Sequence, residues 1–244
     1  MLTQYLLTLF PDRPCHPRPE WGYRLYAALL EEAPSSFSSG VHEDMVTPVS
    51  QFVTAQDNSL LWIVNLLGRD SESALGPLLE QAMHFRLQKD NTVLFVQERR
   101  SWNIPDVDNL LTLGASHSRM HHLRFCTATA FKSRGQYLNL PTSRLIVQSL
   151  IKKWNGCFPD CPIEDADGEG MEAIAAGLRC RQFRLRDRTY FLKGSAIPGF
   201  VGELMLENRW GGFHRQLASA LLLFSAYAGV GIKTTLGMGG VQVQ

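Results

Sequence analysis

The first half of the chain alternates between strand-like and helix-like hydrophobic patterns. Short apolar runs predict strands, and two segments between them carry apolar residues at helical spacing. The first helix is the clearer, since Leu25, Ala28 and Leu29 share one face and Pro34 follows it. The predicted elements are a strand at Leu2–Phe10, a helix at Trp21–Glu32, a Ser-rich loop at Ser35–Gly40, strands at Val46–Thr54 and Leu60–Leu67, a helix at Glu72–His84 and a strand at Thr92–Gln97. This order is βαββαβ.

The second half repeats that order after a polar linker around Pro105–Gly114. Its last helix spaces Phe213, Leu217 and Leu221 for burial on one side. The predicted elements are a strand at His122–Phe131, a helix at Thr142–Trp154, an acidic loop at Asp160–Glu172, strands at Leu178–Lys193 and Phe200–Leu206, a helix at Gly212–Tyr227 and a strand at Gly240–Gln244. We therefore predict an α+β fold of two tandem ferredoxin-like (RRM-like) domains, residues 1–108 and 115–244, each βαββαβ.

Charge is divided unequally between these halves. The whole chain of 244 residues has a formal net charge of +1. Residues 1–110 hold 8 Lys and Arg against 14 Asp and Glu, a net of −6, whereas residues 111–244 hold 16 against 9, a net of +7. The C-terminal half is therefore the one expected to meet a polyanion.

The cysteine and histidine residues do not predict a metal site or a disulfide framework. Five cysteines, at positions 15, 126, 157, 161 and 180, are odd in number and scattered, which is typical of reduced thiols in a cytosol. Cys157 and Cys161 form a lone C-x3-C pair, and without a second pair structural zinc is disfavoured. His117, His121 and His122 lack carboxylates at ligand spacing, and no HExxH or paired-carboxylate nuclease motif is visible. We expect no metal and no cofactor.

No segment predicts export or a membrane partner. The apolar stretch Leu2–Phe10 lacks the basic flank and small-residue cleavage site of a signal peptide. No apolar run approaches the ~20 residues of a membrane-spanning helix. The sequence predicts a cytoplasmic protein.

The segment Ala228–Val243 places five glycines and Lys233 between apolar ends. Such a run is usually built around a phosphate-bearing chain or a tight packing contact. A Walker A loop is excluded because Lys233 follows Ile232 and no helix can follow before the chain ends, and a dinucleotide fingerprint would need glycine at Thr234. The remaining use for a phosphate-bearing ligand is a loop that lays its N–H groups against a nucleic-acid backbone.

This glycine-rich segment resembles the signature of the CRISPR-associated endoribonucleases of the Cas-six family, which process precursor crRNA. Three more stretches are similar in order and spacing: Phe125–Lys132, Leu150–Asn155 and Gly199–Gly202. The resemblance covers most of residues 120–244. In the N-terminal half it is thinner and rests on Tyr26–Leu30, Val41–Glu43 and Thr47–Ser50.

The resemblance implies two ferredoxin-like domains that cleave a single-stranded or hairpin CRISPR repeat RNA without a metal. A 2′-hydroxyl attacks the neighbouring phosphate and leaves a 2′,3′-cyclic phosphate and a 5′-hydroxyl. The position of the family's catalytic histidine matches His42, and the pKa of a histidine, usually about 6.5, suits a general acid or base. Tyr26, on the preceding helix, is the candidate that orients the imidazole or donates a hydrogen bond to the phosphate. The alternative is that Tyr26 is an aromatic residue of the core.

One departure concerns the positive charge that the reaction needs near the phosphate. Many family members place a lysine shortly after the histidine, but here Glu43 and Asp44 follow it and the first lysine is Lys89. Arg24 and Lys132 are the candidate substitutes.

RNA binding is assigned to basic residues and glycines of the C-terminal half. Arg184, Arg186 and Arg188 share one face of a predicted strand, and the planar guanidinium group suits phosphates and base stacking. The predicted RNA-binding residues are Lys132 and Arg134 at a hairpin tip, Arg179, Arg181, Arg184, Arg186 and Arg188 on the strand, and Gly229, Gly231, Lys233, Gly237 and Gly239 in the glycine-rich segment.

Two other functions stay open at the level of sequence. A catalytically inactive RNA-binding subunit of a CRISPR effector complex would have the same fold and basic face, and the missing lysine favours it. A nucleotide-binding enzyme that uses the glycine-rich segment has little support, because both nucleotide fingerprints fail. Precursor crRNA is the expected partner, and effector-complex proteins and a homodimer are left open.

Overall fold

A computed structural model describes residues 1–13, 18–40, 48–56 and 59–244 of the chain. The N-terminal part is an antiparallel sheet of five strands with helices on one face. Its elements are β1 (Leu2–Pro11), α1 (Trp21–Glu32), α2 (Ser35–Gly40), β2 (Val49–Gln56), β3 (Ser59–Leu67), α3 (Arg69–Gln81), β4 (His84–Leu87) and β5 (Thr92–Ile104), with a 3₁₀ turn at Gln88–Asp90. The strand order is β2-β3-β1-β5-β4.

The C-terminal part is a second antiparallel sheet, of four strands, with two small hairpins beside it. Its elements are α4 (Val107–Ser116), β6 (Met120–Thr129), β7 (Phe131–Ser133), β8 (Gln136–Leu138), α5 (Ser143–Cys157), α6 (Glu169–Ala176), β9 (Leu178–Asp187), β10 (Tyr190–Leu192), β11 (Ser195–Ile197), β12 (Phe200–Asn208), α7 (Gly212–Ala228) and β13 (Val241–Val243), with a 3₁₀ turn at Thr234–Leu236. The strand order is β13-β6-β12-β9, and β7–β8 and β10–β11 form the hairpins.

Both sheets follow the ferredoxin-like order. In each, the first strand lies between the third and the fourth, and the second strand lies outside the third. In the N-terminal sheet β5 is the fourth strand, and β4 is an added strand at the edge. The predicted tandem ferredoxin-like α+β fold is confirmed.

Helix α7 joins the two sheets into one molecule. Its Leu221 and Phe224 belong to a core that also contains Leu2 and Leu67 of the N-terminal sheet. The Gln4 side-chain amide donates to the carbonyl of Ala226 at 3.2 Å, and the Ser50 hydroxyl donates to the carbonyl of Tyr227. The last turns of α7 are therefore held by the sheet of the other half.

Three segments predicted as irregular form helices. The linker prediction at Pro105–Gly114 is wrong, because Asp106 caps α4 by accepting from the N–H of Asn109 at 2.8 Å, and Gly114 packs closely against α7. The acidic loop prediction missed α6, where Ile174 is buried and the glutamates fall in the first turn, close to the positive end of the helix dipole. The Ser-rich loop is the short helix α2.

The predicted strand at Leu178–Lys193 is two elements instead of one. Strand β9 ends at Asp187, and the chain then forms the β10–β11 hairpin. Its turn is Lys193-Gly194, whose φ angles of +49° and +84° suit a two-residue turn between twisted strands. This turn brings Lys193 to the site described below.

Among the described residues, no helix has the length and apolar character that a membrane crossing requires.

A buried histidine lies where β6 meets α7. His121 is fully buried; its Nε2 atom lies 3.0 Å from the Ser219 hydroxyl, and its ring stacks on His117 with centroids 4.4 Å apart. Burial, and then the charges of His117 and Arg215, lower the pKa of His121 to about 4. His121 is thus a neutral packing residue of the C-terminal half.

The lowered pKa of His121 makes the free energy of unfolding depend on pH between about 4 and 6.5. Between pH 6.5 and about 4 the unfolded chain binds a proton at His121 and the folded chain does not, so the free energy of unfolding falls as the pH falls. Its contribution reaches up to about 3 kcal/mol. In urea titrations from pH 7 to pH 4, the free energy of unfolding of His121→Gln should fall less steeply with falling pH than that of the wild type.

The exposed His214 supplies the matched control. His214→Gln should keep the slope of the wild type. Parallel stability curves for the wild type and His121→Gln would contradict the assignment.

Candidate functional site

A cleft of about 860 Å³ lies between α1 of the N-terminal half and several elements of the C-terminal half. It is lined by α1, the β7–β8 and β10–β11 hairpins, α5 and the segment that links α7 to β13. Five lysines line it: Lys132, Lys152, Lys153, Lys193 and Lys233. No aspartate or glutamate is among its described lining residues. This lysine cleft is therefore suited to a polyanion.

The glycine-rich loop, residues 229–240, packs tightly within the protein. The N–H of Gly231 donates to the Ser149 hydroxyl at 2.9 Å, and the N–H of Gly239 donates to the carbonyl of Ala128 at 3.0 Å. A Cβ at Gly231 would overlap the Ala130 carbonyl oxygen. Both glycines have positive φ, +80° and +65°. Of the two uses considered for such a run, tight packing accounts for these glycines.

The same loop also contacts the N-terminal half. The Gln51 side-chain amide donates to the carbonyl of Thr235 at 2.9 Å, and the Thr235 hydroxyl donates to the carbonyl of Val49 at 3.0 Å. Its 3₁₀ turn, Thr234–Leu236, packs on α1 and β2. Lys233 immediately precedes this turn and is exposed, with φ of +56°. The loop therefore fixes Lys233 next to α1.

Lys153 of α5 holds the glycine-rich loop through hydrogen bonds. Its ammonium group donates to the carbonyls of Ala228 and Gly229, at 2.9 and 3.0 Å, and to the Thr234 hydroxyl at 3.2 Å. Burial lowers the pKa of Lys153 to about 7. The lysine thus joins α5 to the end of α7 and to the loop.

Tyr26 lines the cleft and carries a buried hydroxyl without a partner. Its side chain is buried, 4% exposed, and its hydroxyl has no hydrogen-bond partner among the described residues. Burial raises the pKa of Tyr26 above its usual value, so the phenol stays protonated at physiological pH. A buried hydroxyl without a partner costs free energy, and such groups call for an explanation.

The structure brings some predicted residues together in the cleft and leaves others outside it. Tyr26, Lys132, Gly231 and Lys233 line the cleft. His42 lies outside the described residues. Gly229, Gly237 and Gly239 are buried behind the cleft surface, so their contact with RNA stays a prediction. Arg134 lies at the turn of the β7–β8 hairpin, as the hairpin-tip prediction implied, and is exposed.

The five arginines at and after β9 lie away from the cleft lining. Arg184 and Arg186 lie on the β9 face that faces away from the helices, and both are exposed. Arg181 pairs with Glu207 at 3.0 Å, and the Arg188 backbone N–H donates to Gly199 beyond the strand end. Arg179 is exposed on the same strand.

One further arginine belongs to this face. Arg124 of β6 is in register with Glu203 of β12, which is in register with Arg184 of β9. The alternation of buried Leu123 and Phe125 with exposed Arg124 was the sequence signal that could have identified it. Arg124, Arg184 and Arg186 are called the arginine face below.

Sequence reasoning missed several cleft residues. Lys152, Lys153, Tyr23 and Lys193 were not assigned to a site, because the cleft is assembled from segments far apart in sequence. Of the two candidate substitutes for the family lysine, Lys132 lines the cleft, whereas Arg24 forms an ion pair with Asp90 and does not line it.

Comparisons with known proteins agree on one family. The family model described as CRISPR-associated endoribonuclease Cas6 matches residues 123–241. The Cas6 endoribonuclease of Mycobacterium tuberculosis is 28% identical over a 249-residue alignment that covers 100% of this chain and 78% of the relative. That of Streptococcus thermophilus is 26% identical and covers 94% of this chain and 93% of the relative.

The fold is also similar to that of a solved structure. A solved Cas6 product complex matches with a TM-score of 0.79 and 23% identity, covering 100% of this chain and 99% of that one. The range matched by the family model, residues 123–241, contains the glycine-rich loop, the arginine face and, of the five cleft elements given above, all except α1. The family model and both curated relatives are Cas6 endoribonucleases, and this chain is similar to them over most of its length.

Proposed function

We propose that this protein generates mature crRNA by cutting CRISPR repeat RNA without a metal ion. In this reaction a ribose 2′-hydroxyl attacks the adjacent phosphorus, and the bond to the 5′-oxygen of the next nucleotide breaks. The products are a 2′,3′-cyclic phosphate and a 5′-hydroxyl. The observation that carries the proposal is the lysine cleft, whose lining combines five lysines with Tyr26 of α1.

The cleft lysines supply the charge that this reaction needs. The phosphorane gains negative charge in the transition state, and cations placed beforehand stabilise it. Lys233 and Lys132 are the exposed lysines assigned here, because Lys233 lies beside α1 and Lys132 lies on the facing hairpin. They take the part of the lysine that other family members carry after the histidine.

Proton transfer is assigned to His42. A histidine can accept the proton of the 2′-hydroxyl or protonate the departing 5′-oxygen. The assignment rests on the family resemblance of the segment around His42. Tyr26 assists as a neutral donor to a phosphate oxygen or to the imidazole, since its pKa is raised and its hydroxyl is unpartnered.

A metal ion has no evident place among the described lining residues. Mg²⁺ and similar cations prefer carboxylate oxygens, and the cleft lining offers ammonium groups instead. Cations in those positions would repel a divalent ion and stabilise the phosphate directly. This donor set supports a metal-independent reaction.

RNA retention is assigned to the second half. We propose that residues 1–108 carry the catalytic histidine and that residues 115–244 hold the repeat through the arginine face, Arg134, Arg179, Arg188 and the glycine-rich loop. A solved Cas6 of similar fold is a product complex, which supports a bound RNA partner. The missing lysine after His42 favours the second candidate, a binding subunit that retains RNA without cutting it.

The proposed reaction predicts cleavage in excess EDTA. A labelled repeat RNA should be cut by the wild type, and the rate should fall at least about 100-fold with His42→Ala, because a positioned acid or base contributes 10²–10⁴-fold. An RNA that lacks the 2′-hydroxyl at the cut site is the substrate control and should stay intact. Tight binding without cleavage would instead establish the binding subunit.

The proposed role of Tyr26 predicts opposite effects on rate and stability. Tyr26→Phe should lower the single-turnover rate about 100-fold if the hydroxyl donates to the reacting phosphate. The free energy of unfolding should stay level or rise by about 1 kcal/mol, because the lost hydroxyl is buried without a partner.

Tyr137, on the β7–β8 hairpin, provides the control. Tyr137→Phe keeps the ring beside Lys132 and should not change the rate. An unchanged rate in Tyr26→Phe would leave Tyr26 as a core aromatic.

Substitutions on the arginine face should weaken the binding of repeat RNA without lowering the rate of cleavage. Replacing Arg184 and Arg186 by alanine should weaken repeat binding about tenfold or more and reduce the slope of log K against log salt by about 2. The single-turnover rate at saturating protein should not change. Arg181→Ala is the matched control, since its guanidinium already pairs with Glu207. Equal effects of the two variants would remove the arginine face from the RNA path.

A further inference from the structure

A second cavity, of about 950 Å³, opens beside the lysine cleft. The two share Tyr23 and Lys193 in their linings, so they are adjacent. The second cavity lies between the start of α1 and the β10–β11 hairpin, and Lys89 lies at its edge. Its size is in the range of small-ligand sites. We call it the tryptophan cavity, after Trp21 in its wall.

The wall of the tryptophan cavity is held by residues from both halves. The Tyr190 hydroxyl donates to the carbonyl of Leu236 at 2.7 Å and lies 3.4 Å from the carbonyl oxygen of Pro19. The hairpin is thereby tied to the glycine-rich loop and to the segment before α1. The Lys193 ammonium lies 5.4 Å from the centroid of the Tyr23 ring, over its face. The cavity is therefore a fixed part of the fold.

The polar groups of this cavity include an unused donor. Trp21 is 4% exposed, and its indole N–H has no acceptor among the described residues. Glu20 adds a carboxylate to the same wall. An indole donor beside a carboxylate acceptor matches the edge of a nucleobase, which presents both kinds of atom.

The remaining groups suit the rest of a nucleotide. Phe191 is 60% exposed at the wall and offers a ring face for stacking. Arg18, Lys89 and Lys193 are exposed cations, and none forms an ion pair within the described part of the chain. Arg24 is different, because Asp90 already pairs with it.

We propose that the tryptophan cavity binds one unstacked nucleotide of the repeat RNA beside the cleavage site. The base stacks on Phe191 with its edge at the Trp21 indole N–H, and Arg18, Lys89 and Lys193 hold the flanking phosphates. Single-stranded RNA is recognised by this combination of aromatic faces, edge contacts and cations. The proposal rests on the proposed function, since the shared Tyr23 and Lys193 place this nucleotide next to the reacting phosphate.

Binding of a truncation series tests the proposal without cleavage. Repeat RNAs with a 2′-deoxy nucleotide at the cut site are shortened one nucleotide at a time from each end, and their affinities are measured by fluorescence anisotropy. Wild-type affinity should drop about tenfold in one step when the held nucleotide is removed. An abasic residue at that position should reproduce the drop.

Two variants show whether this step arises at the tryptophan cavity. Phe191→Ala should bind the longer RNA as weakly as the wild type binds the shortened one, so that the step disappears. Trp21→Phe, which keeps an aromatic ring at this position but removes the donor, should reduce the step. Phe213→Ala removes a comparably exposed aromatic, 61%, elsewhere in the C-terminal half and should keep the full step.

The outcomes separate this inference from the proposed function. A step that survives Phe191→Ala, or no step at all in the wild type, overturns the nucleotide site even if the repeat is cut. A step that depends on Phe191 in a protein that cuts no RNA supports the site and rejects the cleavage proposal.

Discussion

The close approach of the glycine-rich loop to its neighbours is the constraint on which the site depends. A Cβ at Gly239 would overlap the carbonyl oxygen of Val230, one at Gly231 would overlap that of Ala130, and one at Gly240 would meet the Phe52 ring. Each contact joins the loop to a different part of the molecule: to itself, to the connection between β6 and β7, and to the N-terminal sheet. Because the space at all three positions fits only glycine, a larger residue at any of them would have to displace the loop or the neighbour that it contacts.

Lys153 completes that arrangement at an energetic cost. Transfer of an ammonium group from water to a buried site is unfavourable, which is why its pKa falls to about 7. Three acceptors offset part of this cost, and two of them are carbonyls at the C-terminal end of α7, where the helix dipole favours a cation. An apolar residue there would leave those oxygens without their donor. Below about pH 7, where the ammonium group is charged, it also adds to the positive potential of the cleft.

Local patterns predicted the elements better than they predicted the site. The helix at Trp21–Glu32 was predicted with the bounds observed, because its apolar stripe is continuous and Pro34 follows it. Helix α4 was missed because Pro105, Asp106 and Gly114 are residue types typical of a linker, whereas here Asp106 caps the helix and Gly114 packs against α7. The tandem fold followed from the repeated order of elements, and the hairpin-tip prediction for Lys132 and Arg134 followed from the glycine after them.

Lys193 and Tyr23 meet only because a two-residue turn and a buried tyrosine place the β10–β11 hairpin against α1. Spacing along the chain contains no information of that kind.

The two kinds of basic residue are separated in space, and this separation has a chemical reason. Arginine has a planar fork that binds a phosphate through two hydrogen bonds and stacks on bases, so it suits an extended surface such as the arginine face. Lysine is a compact charge that suits the small volume around one reacting phosphate. The acidic N-terminal half contributes Tyr26 to the cleft. All five lysines of the cleft come from the basic C-terminal half, four from helix and hairpin residues and the fifth from the glycine-rich loop. Neither half therefore contains the whole set of groups that line the cleft. It follows that the packing between the halves, and above all the glycine contacts that set it, determines whether a bound phosphate meets both the phenol and the ammonium groups at once.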